Sequence, residues 1–435
     1  MPNKLPNTKR QNLRFSFLEG VLGSMMAGTS HDFFTPFLLI LGGSSRHAGI
    51  LNALPNFFSS IMMVKGADFV EMLGSRKKAV TIFVFLQSLT IAFIAAMAMV
   101  GGLGVWLFIA AVTLFAGLGA LSQPAWASML SELVPKKRFG RYFGWRNRIM
   151  GFIAVGSSIS AGLVLKHFSA VDPVYGFIII FCAAFVFRMS SLLFFNKIEE
   201  PPMSTGREHY FSLRDFLGQR NEFTRFVLFA SAMSFSIHMA APFFAVLMLR
   251  DLNFSYILYT SLISTGNVII FLTTKRWGAL ADRIGNVRIM RFTSRAIAFV
   301  PLLWIVNTAP VFLFIIQIVA GFLYGGYLLS TTNYVYDSST AGKRTRYIAY
   351  FNMFNGLSIF AGSMLSGLII RYLPPIFGFN ILTILLLSSM MRIITAYFIP
   401  FRLKEVRPVR RVNSKGMVLA MLSKDGLPAK TGFYE

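Results

Sequence analysis

Residues 277–285 read WGALADRIG, so two glycines, an aspartate and an arginine fall within nine residues. Strongly apolar runs lie on both sides: LYTSLISTGNVIIFLTT occupies residues 258–274, and AIAFVPLLWIV occupies residues 296–306. Each run is apolar enough to lie in lipid, whereas the glycines and charges between them are typical of a turn at a membrane surface. The stretch therefore predicts a polar turn joining two membrane spans.

The whole chain has the composition of a membrane protein. Of its 435 residues, 55% are hydrophobic, 46 are Phe and only 14% are charged. A helix needs about 20 mostly apolar residues to cross a bilayer. The sequence predicts an all-α membrane protein with twelve transmembrane helices in two pseudo-symmetric six-helix bundles. The predicted spans lie near residues 14–41, 46–67, 78–100, 105–132, 147–166, 174–195, 224–249, 253–276, 289–308, 311–336, 350–370 and 377–400.

The formal charge of +25 has a topological explanation. Most of the 42 Lys and Arg residues lie in the loops and tails on the side that carries both termini. The opposite-side loops hold only Arg46, Lys166, Arg250 and Arg371. This asymmetry follows the positive-inside rule, so we expect a multi-pass protein of the cell (inner) membrane with both termini cytoplasmic. The lipid bilayer is then the expected partner and nucleic acid is not, and the chain is expected to be a monomer.

An internal repeat divides the chain into two halves. RYFGWRNRIMG at residues 141–151 recurs as RYIAYFNMFNG at residues 346–356, and GALADRIGNVR at 278–288 has a weaker copy, ADFVEMLGSRK, at 67–77. Many transporters consist of two such similar membrane halves. The predicted organisation is a cytoplasmic N-terminus (1–13), a first six-helix bundle (14–195), a cytoplasmic linker (196–223), a second six-helix bundle (224–400) and a basic cytoplasmic tail (401–435).

These features resemble the major facilitator superfamily of secondary transporters, with GxLADRxGxxR after span eight and an Arg-Tyr loop before spans five and eleven. The resemblance implies that the motif forms a cytoplasmic gate, which closes in the outward-open state. Charged side chains at helix ends can cap the termini or pair, and Arg76 or Lys77 can reach Glu132. The predicted gate residues are Gly278, Asp282, Arg283, Gly285 and Arg288, with Glu71, Gly74 and Arg76 from the weaker copy and the helix-end acids Glu132 and Asp337.

Charges inside spans are costly and are candidates for function. By the resemblance, spans one, four, seven and ten line a central cavity. Asp32 in span one is then the leading proton or cation carrier, with His31 and His238 as possible partners. The candidate cavity residues are Gln123, Trp126, Tyr324, Tyr327 and Asn333.

Three further charges in the spans carry separate expectations. Glu19 lies on a different helix face from Asp32 and is expected to pair near the cytoplasm. Arg188 and Arg392 are expected to extend towards the cytoplasmic surface.

The predicted function is transport of a small-molecule substrate by alternating access, coupled to a proton or cation. Drug or metabolite efflux and nutrient uptake both remain open, although the lack of a basic pair in the expected cavity argues against organic phosphates. The alternative is a transporter-like membrane sensor that does not transport. Scattered histidines and a single cysteine argue against an enzyme and a metal site, and no cofactor is expected.

Overall fold

The computed structural model describes residues 7–134, 139–200, 222–338, 344–398 and 403–406. Most of the predicted linker (196–223) and most of the predicted tail (401–435) lie outside these ranges. The described residues form fourteen α-helices, which we number in chain order. They are α1 (Asn7–Ser30), α2 (Phe34–Ile40), α3 (Ser45–Leu73), α4 (Arg76–Val100), α5 (Val105–Leu133), α6 (Phe139–Phe168), α7 (Pro173–Phe195), α8 (Glu222–Val246), α9 (Tyr256–Ile284), α10 (Asn286–Ile297), α11 (Val300–Val306), α12 (Pro310–Asp337), α13 (Arg344–Ile369) and α14 (Asn380–Phe398).

Ten helical segments of the described residues are long and apolar enough to cross a membrane, α10 and α11 counting as one. They correspond to the predicted spans three to twelve, and the all-α membrane fold is confirmed. The first two predicted spans are more polar. The helix α1 begins with NTKRQNLR, and α3 carries Asn52, Asn56 and Lys65. Adding these two to the ten agrees with the predicted total of twelve.

The first predicted span is interrupted in its far half. A 3₁₀ turn, His31–Phe33, separates α1 from α2, and Pro36 lies in the first turn of α2. Proline has no N–H and its ring clashes with the carbonyl four residues earlier, which here is the carbonyl of Asp32. That carbonyl accepts a hydrogen bond from the Tyr259 hydroxyl of α9 at 2.8 Å. The break therefore supplies an acceptor that joins the first half (α1–α7) to the second half (α8–α14).

Close helix packing also joins the two halves. A Cβ atom built on Gly49 of α3 would lie 2.7 Å from the Cα atom of Gly367 of α13. On a second helix pair, Gly162 of α6 faces Thr260 of α9, and Gly151 faces Phe271. Small residues allow membrane helices to approach closely, and here they allow the two halves to contact each other along α3–α13 and α6–α9.

We predict that Gly49→Ala destabilises the protein, because the added methyl group would meet backbone atoms of α13 that cannot rotate away. The expected loss is about 1–3 kcal/mol, measured as a lower melting temperature in detergent. Gly156→Ala is the matched control, since a Cβ atom at that position of α6 meets nothing within 4 Å. Equal melting temperatures for the two variants would contradict the packing assigned to Gly49.

Candidate functional site

The two copies of the loop motif form sharp turns on one side of the molecule, which we call the motif side. Gly74 joins α3 to α4 with φ of 63°, and Gly285 joins α9 to α10 with φ of 93°, both in the region that only glycine adopts freely. At Gly285 a Cβ atom would also overlap the Glu405 carboxylate. Gly278 differs, because a Cβ atom there would lie 3.7 Å from Leu329 Cδ2, an ordinary contact. Gly278 is therefore not required for a close helix approach.

In the first half, the motif is tied to α5 by a forked ion pair. The Arg76 guanidinium donates from Nη1 to Glu132 Oε1 at 2.8 Å and from Nη2 to Glu132 Oε2 at 3.1 Å. It also donates to the Ser128 hydroxyl at 2.9 Å. Arg76 is buried, with 5% of its surface exposed, so water screens this pair less than a surface pair. Of the two basic residues that the sequence left open, Arg76 makes this contact.

A second carboxylate closes the same junction. Glu200, five residues beyond α7, accepts hydrogen bonds from the Ser75 hydroxyl at 2.6 Å and from the Arg76 backbone N–H at 2.8 Å. Partial burial acts to raise the pKa of Glu200, but these hydrogen bonds, one from the Lys77 N–H and the charge of Arg76 outweigh it and hold the pKa below its ordinary value. Glu200 thus caps the N-terminus of α4, where a negative charge is favoured.

The second half repeats this junction with different side contacts. Glu405 accepts a hydrogen bond from the Val287 N–H in the first turn of α10 at 2.8 Å. Asn286 donates to Asp337 at the end of α12 at 2.8 Å, and Asn333 donates to Asn286 at 3.3 Å. Asn333, predicted to line the cavity, therefore belongs to this junction.

Glu200 and Glu405 were missed by the sequence reasoning, although the repeat carries a signal for them. Ile198-Glu199-Glu200 and Leu403-Lys404-Glu405 are separated by the same 205 positions as the two Arg-Tyr segments. Ile198 and Leu403 are each 3% exposed, so both segments anchor through a buried aliphatic side chain two residues before the glutamate.

The remaining gate candidates lie around the two junctions. Asp282 and Arg283 are exposed in the last turn of α9, and Glu71 is exposed in the last turn of α3. Arg288 is partly buried in the first turn of α10. The contacts described above join helices of the same half, so each junction holds its half together on the motif side.

A cavity of 770 Å³ lies mainly within the first half, and Phe271 of the second half completes its wall. It extends from His31 and Phe34 to Val80 and Phe195, which lie near the motif side. The predicted cavity residues Gln123 and Trp126 both line it. Its other polar lining residues include Glu19, Asn52, Asn56, Gln87, Arg146 and Arg188.

A buried ion pair forms one wall of this cavity. Arg146 Nη2 lies 3.2 Å from Glu19 Oε2, and the two residues are 5% and 8% exposed. Trp126 Nε1 donates to the same carboxylate oxygen at 3.3 Å, and the Arg146 guanidinium lies 5.0 Å from the Trp126 ring centre. Arg146 also donates to the Ser16 carbonyl at 3.2 Å. The Glu19 carboxylate therefore already has the Arg146 guanidinium and the neutral Trp126 indole N–H as partners.

The expectation that Arg188 and Arg392 extend to the membrane surface is wrong. Arg188 lines the cavity, and its Nε donates to Gln87 Oε1 at 2.8 Å. Arg392 is 2% exposed and donates to the Tyr324 hydroxyl and the Ile237 carbonyl, both at 3.3 Å. Amide, hydroxyl and carbonyl oxygens from neighbouring helices accept hydrogen bonds from both guanidinium groups inside the protein, so both groups are held away from the membrane surface.

The expectation that the cavity lacks a basic pair is also wrong. Arg146 and Arg188 line the same cavity. The sequence reasoning missed Arg146 because it lies just before the predicted span 147–166, among other basic residues of the predicted loop. Only the packing of α6 against α1 directs this side chain towards Glu19.

A smaller cavity of 360 Å³ lies towards the second half and is lined by Asp32, Tyr324 and Arg392. It shares His31, Thr35 and Asn52 with the larger cavity, so the two cavities lie next to each other across these residues, and we call them the larger and the smaller lobe of the central space. Glu19 and Asp32 thus line different lobes.

The coupling candidates lie in different environments. The Asp32 carboxylate accepts a hydrogen bond from the Ser158 hydroxyl at 2.8 Å, and His31 is exposed to the cavity. His238 Nδ1 donates to the Ser234 carbonyl within α8 at 2.9 Å. Neither His238 nor Tyr327, which is 5% exposed, lines either lobe. Tyr324 is therefore the predicted aromatic residue of α12 that reaches the central space.

An all-α, multi-pass membrane fold of two repeat-related halves with internal cavities is the architecture of many transporters. The family model of the Major Facilitator Superfamily matches residues 20–293 and 224–426. The chain belongs to this superfamily.

Individual relatives are distant. An uncharacterized MFS-type transporter of Methanocaldococcus jannaschii is 27% identical over 186 residues, which cover 41% of this chain and 46% of that relative. The chain thus matches less than half the length of this curated relative.

Solved structures share the fold at low identity. A bacterial homologue of the human lysosomal transporter Spinster, in an inward-facing and occupied conformation, superposes with a TM-score of 0.73 at 12% identity, covering 92% of this chain and 98% of that one. The D-xylose-proton symporter gives 0.70 at 12%, covering 92% and 99%. The nucleoside transporter NupG gives 0.67 at 15%, covering 92% and 100%. At these identities the likeness shows the fold alone.

We predict that Glu200→Gln lowers stability by about 1 kcal/mol at pH 7, because a charged cap is lost from α4. The pKa of Glu200 is lower in the folded state than its ordinary value of 4.5. The stabilisation is therefore full above about pH 4.5 and is lost as the pH falls through the folded-state pKa.

Melting temperatures of wild type and variant should differ at pH 7 and converge once the pH falls below the folded-state pKa of Glu200. Glu199→Gln, which neutralises the exposed neighbouring carboxylate, is the matched control and should show no such difference. A gap that persisted unchanged at the low pH would contradict the role assigned to the charge.

Proposed function

We propose that the protein moves a small solute across the cell membrane by alternating access, driven by a proton or cation gradient. The observation that carries the proposal is the central space between two repeat-related halves. Family membership supports membrane transport, and the glycine-lined contacts along α3–α13 and α6–α9 provide smooth surfaces on which the halves can rock. Uptake and efflux are both compatible with this arrangement.

The motif side is the cytoplasmic side in this proposal, since the charge asymmetry of the sequence predicts that the basic loops and both termini lie there. The larger lobe of the cavity extends towards this side as far as Val80 and Phe195. Towards the far side the halves are joined by the Tyr259–Asp32 hydrogen bond and by the rings of Phe177 and Tyr256, whose centres are 5.7 Å apart. These contacts support an arrangement that opens towards the cytoplasm.

The two junctions have the role of keeping each half rigid during this motion. Glu200 and Glu405 fasten α4 and α10 to the ends of their own halves. Asp282 and Arg283 remain on the surface next to the second junction, where a contact between halves can form and break in each cycle. An exposed ion pair contributes only about 0–1 kcal/mol, which suits a contact that must be reversible.

Asp32 is the proposed coupling residue. Its carboxylate lines the central space and is held by the neutral Ser158 hydroxyl, while its backbone carbonyl holds Tyr259 of the other half. A change in its protonation or cation occupancy would act at a contact between the two halves, which is what coupling requires.

We predict that Asp32→Asn abolishes accumulation driven by a gradient while leaving solute exchange at equilibrium, because the variant cannot change charge. Both rates are measured in proteoliposomes. Asp172→Asn is the control, since Asp172 caps α7 through the Val174 N–H at 2.9 Å and asparagine caps helices equally well. Undiminished accumulation by Asp32→Asn would rule out this residue as the carrier.

We also predict that Asp282→Asn slows transport several-fold without lowering expression or the melting temperature. The reason is that the side chain is exposed and acts on the gate, so its loss affects the cycle more than the fold. Initial rates in proteoliposomes at matched protein content provide the measurement. Wild-type rates in this variant would exclude it from the gate.

Counterflow in proteoliposomes separates the transporter from the sensor alternative. A preloaded solute that accelerates entry of its labelled form supports transport. A purified, monodisperse protein that binds a solute without exchanging it would overturn the proposal and favour a sensor. The same preparation shows whether the protein is a monomer and whether the solute is returned chemically unchanged, as expected of a protein that is not an enzyme.

A further inference from the structure

We propose, on the basis of the transport function above, that the substrate is a small organic anion whose carboxylate or phosphate group binds Arg188 in the larger lobe of the cavity. Three charged side chains lie on the wall of this lobe: Glu19, Arg146 and Arg188. Two cations and one anion leave this lobe with one excess positive charge. A substrate that supplies a negative charge restores the balance.

One oxygen of the Glu19 carboxylate, Oε2, is already occupied by donors of the protein. Arg146 lies within ion-pair distance of it, at 3.2 Å, and the Trp126 indole donates to the same oxygen. The charges of Arg146 and Glu19 thereby neutralise each other, so this carboxylate is poorly placed to attract a cationic solute. The larger lobe thus disfavours amphipathic cations, since its one carboxylate already has a cation beside it.

Arg188 is in a different position. Among the described residues, no carboxylate lies within ion-pair distance of its guanidinium, and its hydrogen-bond partner is the neutral oxygen of Gln87, at 2.8 Å. Gln87 is itself held by the Phe115 carbonyl at 3.1 Å. One side of the guanidinium is therefore oriented through Nε, and the two Nη groups at its other end remain for a ligand.

The free end of a guanidinium matches a carboxylate or phosphate, because two parallel N–H groups can donate to two oxygens. Gly23 of α1 lies beside this end, and even a Cβ atom built there would stay 3.7 Å from Arg188 Nη1. The absence of a side chain at this position keeps space open next to the guanidinium. Gly119 similarly leaves room for Gln87, since a Cβ atom there would come within 2.5 Å of its Nε2.

The free-energy cost of an unpaired buried charge supports a ligand beside Arg188. An unpaired charge inside a membrane protein is expensive, and Glu19, which could neutralise Arg188, is committed to Arg146. The volume of 770 Å³ is in the range that holds a drug-sized molecule, and Phe115, Trp126 and Phe195 provide aromatic walls. The matching substrate therefore carries one acidic group on an apolar or aromatic body.

The test uses purified full-length protein in detergent and four probes: indole-3-acetate, its neutral amide indole-3-acetamide, the cation tryptamine, and phenyl phosphate. We expect the two anions to raise the melting temperature and the amide and amine not to. Arg188→Gln should weaken anion binding at least roughly tenfold, which corresponds to the loss of a charge-assisted hydrogen bond. Arg148→Gln is the matched control, because Arg148 is an exposed arginine on α6, against the Phe152 ring and outside the cavity wall.

Arg188→Lys is the second variant, and it tests the proposal even if Arg188→Gln does not fold. It keeps the charge but loses the fork, so it should still prefer anions over the amide, with weaker affinity than wild type. A preference between phenyl phosphate and indole-3-acetate in wild type distinguishes the two acidic groups. Stabilisation by tryptamine or the amide that equals or exceeds that by both anions would overturn the proposal, and so would anion binding that Arg188→Gln leaves unchanged.

This outcome is separable from the transport proposal. Anion binding that depends on Arg188, but without counterflow in proteoliposomes, would sink transport and leave the anion site standing. Counterflow of tryptamine without any effect of the anions would sink the anion site and leave transport standing.

Discussion

A charge buried among membrane helices must find its partner inside the protein, and this constraint organises the centre of the molecule. Glu19 and Arg146 satisfy each other at 3.2 Å, and Arg392 donates to a tyrosine hydroxyl and to backbone carbonyls. Among the described residues, Arg188 has only the neutral Gln87 oxygen as a hydrogen-bond partner, although it lines the larger lobe of the cavity. Arg146 and Arg392 therefore act as structural charges with partners inside the protein, whereas the charge of Arg188 is available to bind a ligand.

The two junctions on the motif side show which part of a repeated structure is physically required. Both α4 and α10 begin with backbone N–H groups that have no partner within the helix, and both receive a glutamate from the end of their own half. The lateral contact differs, since Arg76–Glu132 is an ion pair and Asn286–Asp337 is a neutral amide bonded to an acid. The N-terminus of any helix requires acceptors, whereas the lateral contact can be made with several side-chain pairs.

The space between the halves depends on backbone features more than on side-chain charge. Pro36 releases the Asp32 carbonyl for Tyr259, and Gly49 brings α3 against α13. Both features lie where the first and second halves meet. The turn His31–Phe33 also carries His31, which lines both lobes, and Asp32, which lines the smaller lobe. The break between α1 and α2 therefore links the contact between the halves to the shape of the cavity.

Sequence alone determined the membrane class and the two-fold repeat, and it predicted the turns of the two motif copies, because hydropathy and repeated spacing are local properties of the chain. It left Arg76 and Lys77 open as the partner of Glu132, and the structure places Arg76 there. It also indicated Gln123 and Trp126 as cavity residues. Only the tertiary structure decided that Glu19, Arg146 and Arg188 face one space, that Asn333 faces a junction and that Glu200 and Glu405 return to cap distant helices. The reason is that the direction of a side chain inside a bundle depends on how neighbouring helices rotate and pack, and no periodicity within a single span specifies that rotation.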